Sequence, residues 1–574
     1  MKIRFFFPLL AYLIVNIAGS VFFLPGGIEM VLQFSSFLFF FSIAYYVGLR
    51  QTLQNRDPVV KVGERTPYVL PMLFLTIPTV FLTAVLMPRD ARVFLCFSSA
   101  FLLSLATYAL GIVLLVRDLK NTVERNKRAR PVEVRDASKR LLLINPVNPR
   151  RTGLTVNRSS SFPPLGLGIV AALTSDDFQI KLIDENIAGF QYEPADLVGI
   201  TAFTAAANRA YEIAAHYRNA GTPVVMGGIH GSMLSEEALR HVDCVVIGEA
   251  ESVWQQVLDD FRKGGIRQTY RGVHTDLSGA VIPRRDLFSD EYLFATVQTS
   301  RGCPMDCSFC SVSTFNGRKY RQRPVADVLD ELQQIPERYV FFVDDNIVGY
   351  GAAAEQRSID LFKGMIERGL DKSWFCQASL NIGSNKELLR LAAKSGCRMV
   401  LLGLESPDPV QLREMNKRVN LRLEYDKALQ NINRHGIAVM GAFIYGSDRE
   451  TAASMRRKTD YILDGRIDVI DTTILTPLPG TRLFNRLRGE KRLLYADFPK
   501  DWDRYDMTEL TFELRGMEAA EFSRLHAQYT RQLRSRRTLW QKCLKTMLHT
   551  KSIEAARWAY SSNINLRNVA SGTA

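Results

Sequence analysis

Cysteine is scarce in this chain, with 8 among 574 residues, which excludes a scaffold held together by structural disulfides. Acidic residues are also outnumbered, since 59 Asp and Glu stand against 73 Lys and Arg and leave a formal net charge of +14. Low-complexity stretches are absent, and 47% of the residues are hydrophobic, which excludes a disordered or collagen-like chain. At about 150 residues per domain, the length predicts roughly four folded units.

Charge is missing from four apolar windows near the N-terminus, at residues 5–23, 30–49, 66–88 and 93–116. At ~1.5 Å rise per residue, each window reaches roughly 28–36 Å and is long enough to cross a hydrocarbon core. Lys and Arg concentrate before the first window, between the second and third, and after the fourth. The positive-inside rule therefore places both termini and the remaining domains in the cytoplasm of an inner-membrane protein. The alternatives are a cleavable signal peptide in the first window and helices of a soluble core.

A charged linker at residues 118–138 separates the predicted transmembrane helices, residues 1–117, from an α/β region at 139–275. Short apolar runs alternate there with helix-length segments, which predicts a doubly wound parallel sheet that binds ligands beyond the carboxyl ends of its strands. Small and polar residues follow these runs, and we take them as candidate ligand contacts: Thr201, Thr204, Gly227, Gly228, His230, Gly248 and Glu249. The first run lacks a following Gly-x-Gly-x-x-Gly, which argues against a dinucleotide.

Three of the few cysteines, Cys303, Cys307 and Cys310, lie within eight residues at C-x3-C-x2-C spacing. Thiolates are soft ligands that suit an iron–sulfur cluster or zinc. A closed zinc site needs a fourth ligand nearby, and the next cysteines, Cys376 and Cys397, lie far downstream. The spacing therefore predicts a 4Fe–4S cluster with one iron open to an exogenous chelator, and the alternative is chance clustering.

The cysteine motif resembles that of the radical S-adenosylmethionine (SAM) enzymes, in which the open iron binds the amino and carboxylate groups of SAM. Six strand-like runs, at residues 295–299, 339–343, 374–377, 399–404, 439–445 and 469–475, alternate with helical segments. This alternation fits the partial (βα)6 barrel of that family over residues 276–514, with the chemistry at the carboxyl ends of the strands.

The resemblance also implies contacts to SAM at the ends of these runs. Asp344 would contact the SAM amino group, Glu405 its ribose hydroxyls and Phe309 its adenine, and Ser379 lies at the same rim. The alternatives are helix capping for the polar residues after the second run and an ordinary solvated loop position for Glu405. No side chain stands out as a general base, so no catalytic residue is assigned.

The domain order, with a doubly wound domain directly before the barrel, is similar to that of the cobalamin-binding radical SAM enzymes. Gly227-Gly228-Ile229-His230 and the Ile-Gly-Glu-Ala-Glu at residues 247–251 match that class, and the resemblance covers residues 139–515. The Asp-x-His-x-x-Gly motif of other cobalamin proteins does not follow the first strand. A histidine as the lower axial ligand of cobalt is therefore not expected.

The last segment, residues 515–574, carries eleven Lys and Arg against three acidic residues. Trp540, Cys543, Leu544, Met547 and Leu548 recur there at helical spacing, near Arg534, Arg536, Arg537 and Lys545. We interpret this segment as a C-terminal helix that packs on the barrel with a solvated basic face. Contact with anionic lipid or RNA is the alternative, although nothing resembles an RNA-binding module.

Together these features predict a membrane-anchored, cobalamin-dependent radical SAM enzyme that methylates an unactivated carbon of a lipid or lipid-linked substrate. Its expected cofactors are a 4Fe–4S cluster, SAM and cobalamin. The expected partners are the membrane and a flavodoxin- or ferredoxin-like electron donor, with no nucleic acid. The alternative functions are a cobalamin-dependent oxidative cyclase or rearrangement enzyme, and a non-catalytic membrane-bound iron–sulfur sensor.

Overall fold

The computed structural model describes residues 139–148, 150, 162–422 and 424–571. Contacts divide the chain into two compact units, residues 1–132 and 133–574, and every described residue falls in the second. The four predicted transmembrane helices and the linker therefore lie outside the described residues. None of the helices in the described part of the chain combines the length and the apolar character that a bilayer crossing requires.

The first sheet has six parallel strands in the order β2-β1-β3-β4-β5-β6. The strands are β1 Lys139–Asn145, β2 Phe178–Asp184, β3 Leu197–Thr201, β4 Val224–Gly227, β5 Cys244–Ile247 and β6 Thr269–Arg271. The helices are α1 Leu165–Leu173, α2 Ala207–Asn219, α3 Gly228–Met233, α4 Ser235–Ala238 and α5 Trp254–Arg262. The predicted parallel α/β arrangement is confirmed, and His230, predicted to follow a strand, lies inside α3.

Helices cover both faces of this sheet, which explains why its central strands are apolar throughout. In β1, Leu142 and Ile144 pack toward α2, while Leu141 and Leu143 pack toward α1 and α5. The strand order reverses at β1 and β3, so the carboxyl ends of these strands border the crevice where such sheets bind ligands.

The second sheet also has six parallel strands, and it follows chain order, β14-β13-β12-β11-β10-β7, with β7 and β14 at its edges. The strands are β7 Ala295–Val297, β10 Tyr339–Phe342, β11 Ser373–Ala378, β12 Cys397–Glu405, β13 Ala438–Tyr445 and β14 Val469–Ile474. A two-stranded antiparallel ribbon, β8 Ser300–Arg301 with β9 Arg321–Gln322, lies between β7 and β10 in the chain. This is the topology of the predicted partial barrel.

Helices alternate with the strands of the second sheet. They are α6 Val312–Phe315, α7 Val325–Gln334, α8 Ala352–Glu367, α9 Lys386–Lys394, α10 Pro409–Glu414, α11 Tyr425–Arg434, α12 Ala452–Asp464 and α13 Arg482–Gly489. Neighbouring residues of β11 show the two faces of the sheet. Trp374 packs against Phe362 of α8 on the outside, and Phe375 points to the inner face.

Three helices, α14 Ala519–Leu533, α15 Arg536–Thr550 and α16 Ile553–Ser571, end the chain. Helix α16 packs on the inner face of the barrel, where Ala555, Trp558 and Ala559 meet Phe375 and Met399. The residues that α16 contacts lie near the starts of their strands. It therefore closes the barrel at the end opposite the carboxyl ends, and α15 packs beside it.

Candidate functional site

The three clustered cysteines lie on the loop between β8 and α6. The loop starts at Gly302, which has φ of +92° and lies so close to Lys319 that a Cβ would come within 2.3 Å of the Lys319 carbonyl oxygen. Only glycine fits that position without moving the backbone. Backbone bonds fix the loop, since the Cys303 amide donates to the Gly317 carbonyl at 3.2 Å and the Ser308 amide donates to the Met415 carbonyl at 3.0 Å.

The thiols of Cys303, Cys307 and Cys310 are free and partly exposed. Burial raises the pKa of each thiol, that of Cys307 to about 11, and the ammonium of Lys417 acts on all three in the opposite direction. Within the described residues, no three His, Cys, Asp or Glu side chains converge on a single metal ion. A 4Fe–4S cluster binds each thiolate through a separate iron, so three thiols on one loop fit it better than they fit zinc.

Beside the cysteines lies a buried ion pair between Glu405 and Lys417, with 2.9 Å between the Lys417 Nζ and the Glu405 Oε1. Glu405 ends β12 with φ of +62°, a conformation that non-glycine residues rarely adopt. Burial opposes the charge of Lys417, but Glu405 and Cys307 together raise its pKa. Lys417 was not among the predicted site residues, because no motif or periodicity marks a lysine between α10 and α11.

Asp344 follows β10 and is fully buried. Its Oδ1 accepts hydrogen bonds from the Thr299 amide and hydroxyl, both at 3.0 Å, and from the Ser300 hydroxyl at 2.5 Å. The structure therefore places Asp344 as a brace for the segment that leads into the cysteine loop, and its contact with SAM stays a prediction. Asp345 extends this brace, since it accepts from the Asn316 Nδ2 at 3.0 Å.

Ser379 and Phe309 both lie near this rim. The Ser379 Oγ contacts the Tyr350 hydroxyl and accepts from the Asn346 Nδ2 at 3.2 Å. Phe309 is partly buried against the core of the barrel. The roles of Phe309 toward adenine and of Ser379 toward SAM stay predictions, and Tyr350 is a rim residue that the sequence analysis did not identify.

At the carboxyl end of the first sheet, glycines shape the turn from β4 to α3. Gly228 has φ of +85°, and a Cβ there would lie 2.6 Å from the Thr201 Oγ1, whereas a Cβ on Gly227 would meet nothing within 4 Å. Phe203, two residues after β3, exposes 74% of its surface at the same end. Open backbone and an unburied aromatic ring at the ligand-binding edge fit a large, partly apolar cofactor such as cobalamin.

His230 does not face this edge. Its side chain is fully buried, with its Nε2 2.9 Å from the Tyr211 hydroxyl and its Nδ1 3.4 Å from the Thr204 Oγ1. Glu237 accepts from the Tyr211 hydroxyl at 3.0 Å and from the Trp502 Nε1 at 2.8 Å. His230 and Thr204 therefore belong to a network that joins α2, α3 and α4 to the 500–504 turn, and their predicted cofactor contacts stay predictions.

Glu249 is also buried, and it joins the first sheet to the ribbon beside the cysteine loop. Its carboxylate binds both terminal nitrogens of Arg321 in β9, at 2.9 Å for the Nη1, and lies 3.4 Å from the Arg301 Nη1 in β8. Burial alone would raise the pKa of Glu249, but the two arginines lower it. Its geometry is that of a clamp between the first sheet and the ribbon, and its predicted contact with a cofactor stays a prediction. Gly248, with φ of +84°, makes the turn that leads into it.

Comparisons with known proteins agree with this arrangement. Residues 151–258 match the B12 binding domain family and residues 297–461 match the radical SAM superfamily. The bacteriochlorophyllide d C-12(1)-methyltransferase of Chlorobaculum tepidum is 31% identical over 391 residues, which cover 65% of this chain and 83% of that protein. The hopanoid C-2 methylase of Rhodopseudomonas palustris is 28% identical over 352 residues, which cover 58% of this chain and 66% of the methylase.

Among solved structures, the chain is similar to OxsB, a cobalamin-dependent S-adenosylmethionine radical enzyme determined with aqua-cobalamin and S-adenosylmethionine bound. The TM-score is 0.55 at 15% identity, and the match covers 75% of this chain and 71% of OxsB. At this identity the likeness shows the fold alone. It agrees with a parallel α/β domain followed by a partial barrel.

Proposed function

The chain belongs to the cobalamin-dependent radical SAM methyltransferases, and we propose that it methylates an unactivated carbon of a lipid or lipid-linked substrate. As a radical SAM enzyme of this family, it uses a 4Fe–4S cluster, SAM and cobalamin. In this family the cluster and SAM supply the substrate radical, and cobalamin carries the methyl group. The protein contributes binding, orientation and the exclusion of water.

One observation carries the proposal: the cysteine loop and the carboxyl end of the first sheet are joined by the Glu249–Arg321 clamp. The segment that holds the cysteines and the edge expected to hold cobalamin are thus positioned by the same buried ion pair. Such a juxtaposition is what a reaction needs when one substrate carbon must meet first a radical and then a methyl donor.

Within this arrangement each group of residues has a distinct task. Cys303, Cys307 and Cys310 would ligate the three protein-bound irons of the cluster. Asp344 and Asp345 brace the start of the cysteine loop through the contacts described above. Glu405 and Lys417 place a buried carboxylate and ammonium beside the cysteines, where the polar groups of SAM would lie.

Two features support a lipid or lipid-linked substrate at a membrane. The four charge-free windows within residues 1–117 are each long enough to span a bilayer. One relative acts on a hopanoid according to its name. We extend the proposal to a multi-pass inner-membrane protein whose catalytic domains lie in the cytoplasm and receive electrons from a flavodoxin- or ferredoxin-like donor.

The test is methyl transfer from SAM with a deuterated methyl group. The full chain, reconstituted anaerobically with iron, sulfide and cobalamin, is incubated with this SAM, a strong reductant and host membranes, and the extracted lipids are examined by mass spectrometry. We expect deuterated methyl groups in a lipid product and none with a Cys307→Ala variant.

Other results would select the alternatives. Formation of 5′-deoxyadenosine without any labelled lipid would overturn lipid methylation and favour cyclisation, rearrangement or a soluble substrate. Absence of both products in a preparation that retains its cluster and cobalamin would favour the non-catalytic iron–sulfur sensor.

A further inference from the structure

Helix α15 turns its apolar side away from the protein. Trp540, Leu544, Met547 and Leu548 expose 57%, 53%, 40% and 70% of their surfaces, respectively. Their spacing along the helix places them on one stripe. Ile553, at the start of α16, is 79% exposed and follows the stripe in the chain. Contiguous apolar side chains of this size on a surface mark a place where something else binds.

The opposite side of α15 carries polar side chains that bind the rest of the protein. Lys542 is buried, and its ammonium donates to the Ile462 carbonyl at 2.5 Å and to the Gly465 carbonyl at 3.2 Å. The Thr546 hydroxyl donates to the Asp468 Oδ1 at 2.7 Å. Rotating the helix to bury its apolar stripe would break these bonds and leave buried polar groups unpaired, which is costly. The outward orientation of the stripe is therefore built into the packing.

The surface around the stripe is positive. Arg536, Arg537 and Lys551 are exposed at the two ends of α15. Between residues 522 and 574 the sequence contains one acidic residue, Glu554. Its carboxylate is already paired, because it accepts from the Arg398 Nε at 2.7 Å and from the Ser373 hydroxyl at 3.0 Å. This segment therefore offers no unpaired carboxylate that would neutralise the flanking cations.

A groove of about 420 Å³ lies between α15 and α16, next to the stripe. Two guanidinium groups, those of Arg536 and Arg567, line it together with the rings of Trp540 and Tyr560, whose centroids are 5.2 Å apart. Guanidinium groups bind phosphate oxygens, and Trp and Tyr favour the boundary between apolar chains and headgroups.

We infer that the outer face of α15, defined by Trp540, Leu544, Met547 and Leu548 with their basic flank, lies on an anionic lipid bilayer and receives a lipid phosphate in the groove. The inference builds on the proposed membrane attachment, because a chain anchored through residues 1–117 always has a bilayer within reach. Two copies of this face would bring like charges together, so charge favours anionic lipid over a second copy of the chain.

This face is separate from the catalytic rim. The inner side of α15 contacts Asp468 and Gly465, which precede β14, whereas the cysteine loop lies at the carboxyl end of the barrel. Contact between α15 and the bilayer therefore orients the barrel and leaves the rim clear of the lipid surface. Of the two proposed substrate classes, a lipid and a lipid-linked molecule, this orientation of the barrel favours a lipid-linked molecule whose reacting group stands out from the bilayer.

Trp540 provides the probe for a direct test. All five tryptophans lie in the described part of the chain, and the other four, Trp254, Trp374, Trp502 and Trp558, are at most 8% exposed. The full chain is placed in nanodiscs of equal parts phosphatidylcholine and phosphatidylglycerol, with or without bromine on the acyl chains. We expect brominated lipid to quench the emission of the wild type, and we expect the Trp540→Phe variant to lose most of that quenching.

Charge and stripe variants sharpen the test. Arg536→Glu combined with Arg537→Glu should lower the quenching in anionic discs, and Leu544→Glu combined with Leu548→Glu should abolish it. Val410→Glu, which changes an exposed aliphatic residue on another helix, should leave it unchanged. Circular dichroism verifies that each variant remains folded. Equal quenching of the wild type and the Trp540→Phe variant would overturn the inference.

The outcomes separate this inference from the proposed membrane anchor. If the chain enters nanodiscs but Trp540 is not quenched, the anchor survives and the docking face does not. If the chain stays outside nanodiscs, the anchor fails, and flotation with anionic vesicles tests the face alone. A Trp540 emission that shifts with protein concentration in the absence of lipid would replace the bilayer with a second copy of the chain.

Discussion

The carboxyl ends of the two sheets use their polar residues in different ways. At the first sheet, His230 and Glu249 are buried and bind other parts of the protein. At the barrel, Cys303, Cys307 and Cys310 keep partly exposed thiols, on a loop that backbone bonds hold in place. Position at a strand end is therefore weak evidence for a ligand contact. The partners of the side chain decide whether it binds a cofactor or the protein itself.

The largest effect should come from the cysteines. Replacing Cys307 by alanine should abolish cluster assembly and SAM cleavage, because three iron atoms each need a protein thiolate. Iron and sulfide content after anaerobic reconstitution measures the first, and release of 5′-deoxyadenosine measures the second. Cys543→Ala removes a cysteine of α15 and should leave both at the wild-type level. Retention of a full cluster by Cys307→Ala would mean that Cys307 is not a ligand of the cluster.

Next in size is the clamp between the sheets. Arg321→Met leaves the buried carboxylate of Glu249 with two weaker partners, Arg301 and the Thr275 amide, so the free energy of unfolding should fall by about 3–5 kcal/mol. Urea unfolding of the detergent-solubilised chain measures the change. Arg218→Met serves as control, because the Arg218–Asp243 pair is 38% and 33% exposed and should contribute about 1 kcal/mol or less. Equal losses for the two variants would contradict a structural role for the clamp.

A smaller effect is expected at His230. The His230→Gln variant keeps some hydrogen-bonding capacity, so it should lower the free energy of unfolding by about 1–3 kcal/mol through imperfect partners for Tyr211 and Thr204. Electron paramagnetic resonance of bound Co(II) should be identical in the wild type and the variant. If the substitution removed nitrogen hyperfine coupling from the Co(II) spectrum, His230 would be a cobalt ligand despite its burial.

A further effect depends on pH and concerns how a buried cation is compensated. Arg321 faces a carboxylate, whereas Lys542 donates only to carbonyl groups, and burial lowers the pKa of Lys542 to about 7. From that value up to the ordinary lysine pKa, the unfolded chain binds one more proton than the folded chain. The free energy of unfolding should therefore rise with pH in this window, by up to about 1.4 kcal/mol per unit.

The Lys542→Met variant isolates the contribution of Lys542 to this pH dependence, because the folded and the unfolded variant both lack the titrating amine. Unfolding at several pH values between 7 and 10 should give a smaller pH slope for the variant than for the wild type. Identical slopes would mean that the Lys542 ammonium keeps an ordinary pKa despite its burial.

Much of the fold could be predicted from the chain. Both parallel sheets follow from apolar runs such as 141–144, because strands buried on both faces are apolar at successive positions. Boundaries were less predictable. Gly227-Gly228-Ile229-His230 was placed at the end of a strand, and the structure shows that α3 already begins at Gly228. Glycines indicate a turn but do not say how soon the next helix begins.

The candidate site was only partly predictable, because buried polar contacts leave no pattern in the sequence. Lys417 carries no motif, and it becomes notable only when folding brings it 2.9 Å from Glu405. Asp344 is predicted to contact SAM, and its role as a brace for the Thr299–Ser300 segment became visible only in the fold. The role of each of these two residues depends on which other segment folding brings beside it.

By itself the sequence determined the cysteine motif, the order of the two α/β domains and the apolar windows, because composition and spacing are local properties. Only the tertiary structure decided the partners of Glu249 and His230 and the direction of the apolar side of α15. Helical spacing defines two faces of α15 but does not say which one packs inward. The orientation is set by carbonyl groups and a carboxylate nearly eighty residues away in the chain, because these groups bind the polar face of α15 and leave its apolar face outside.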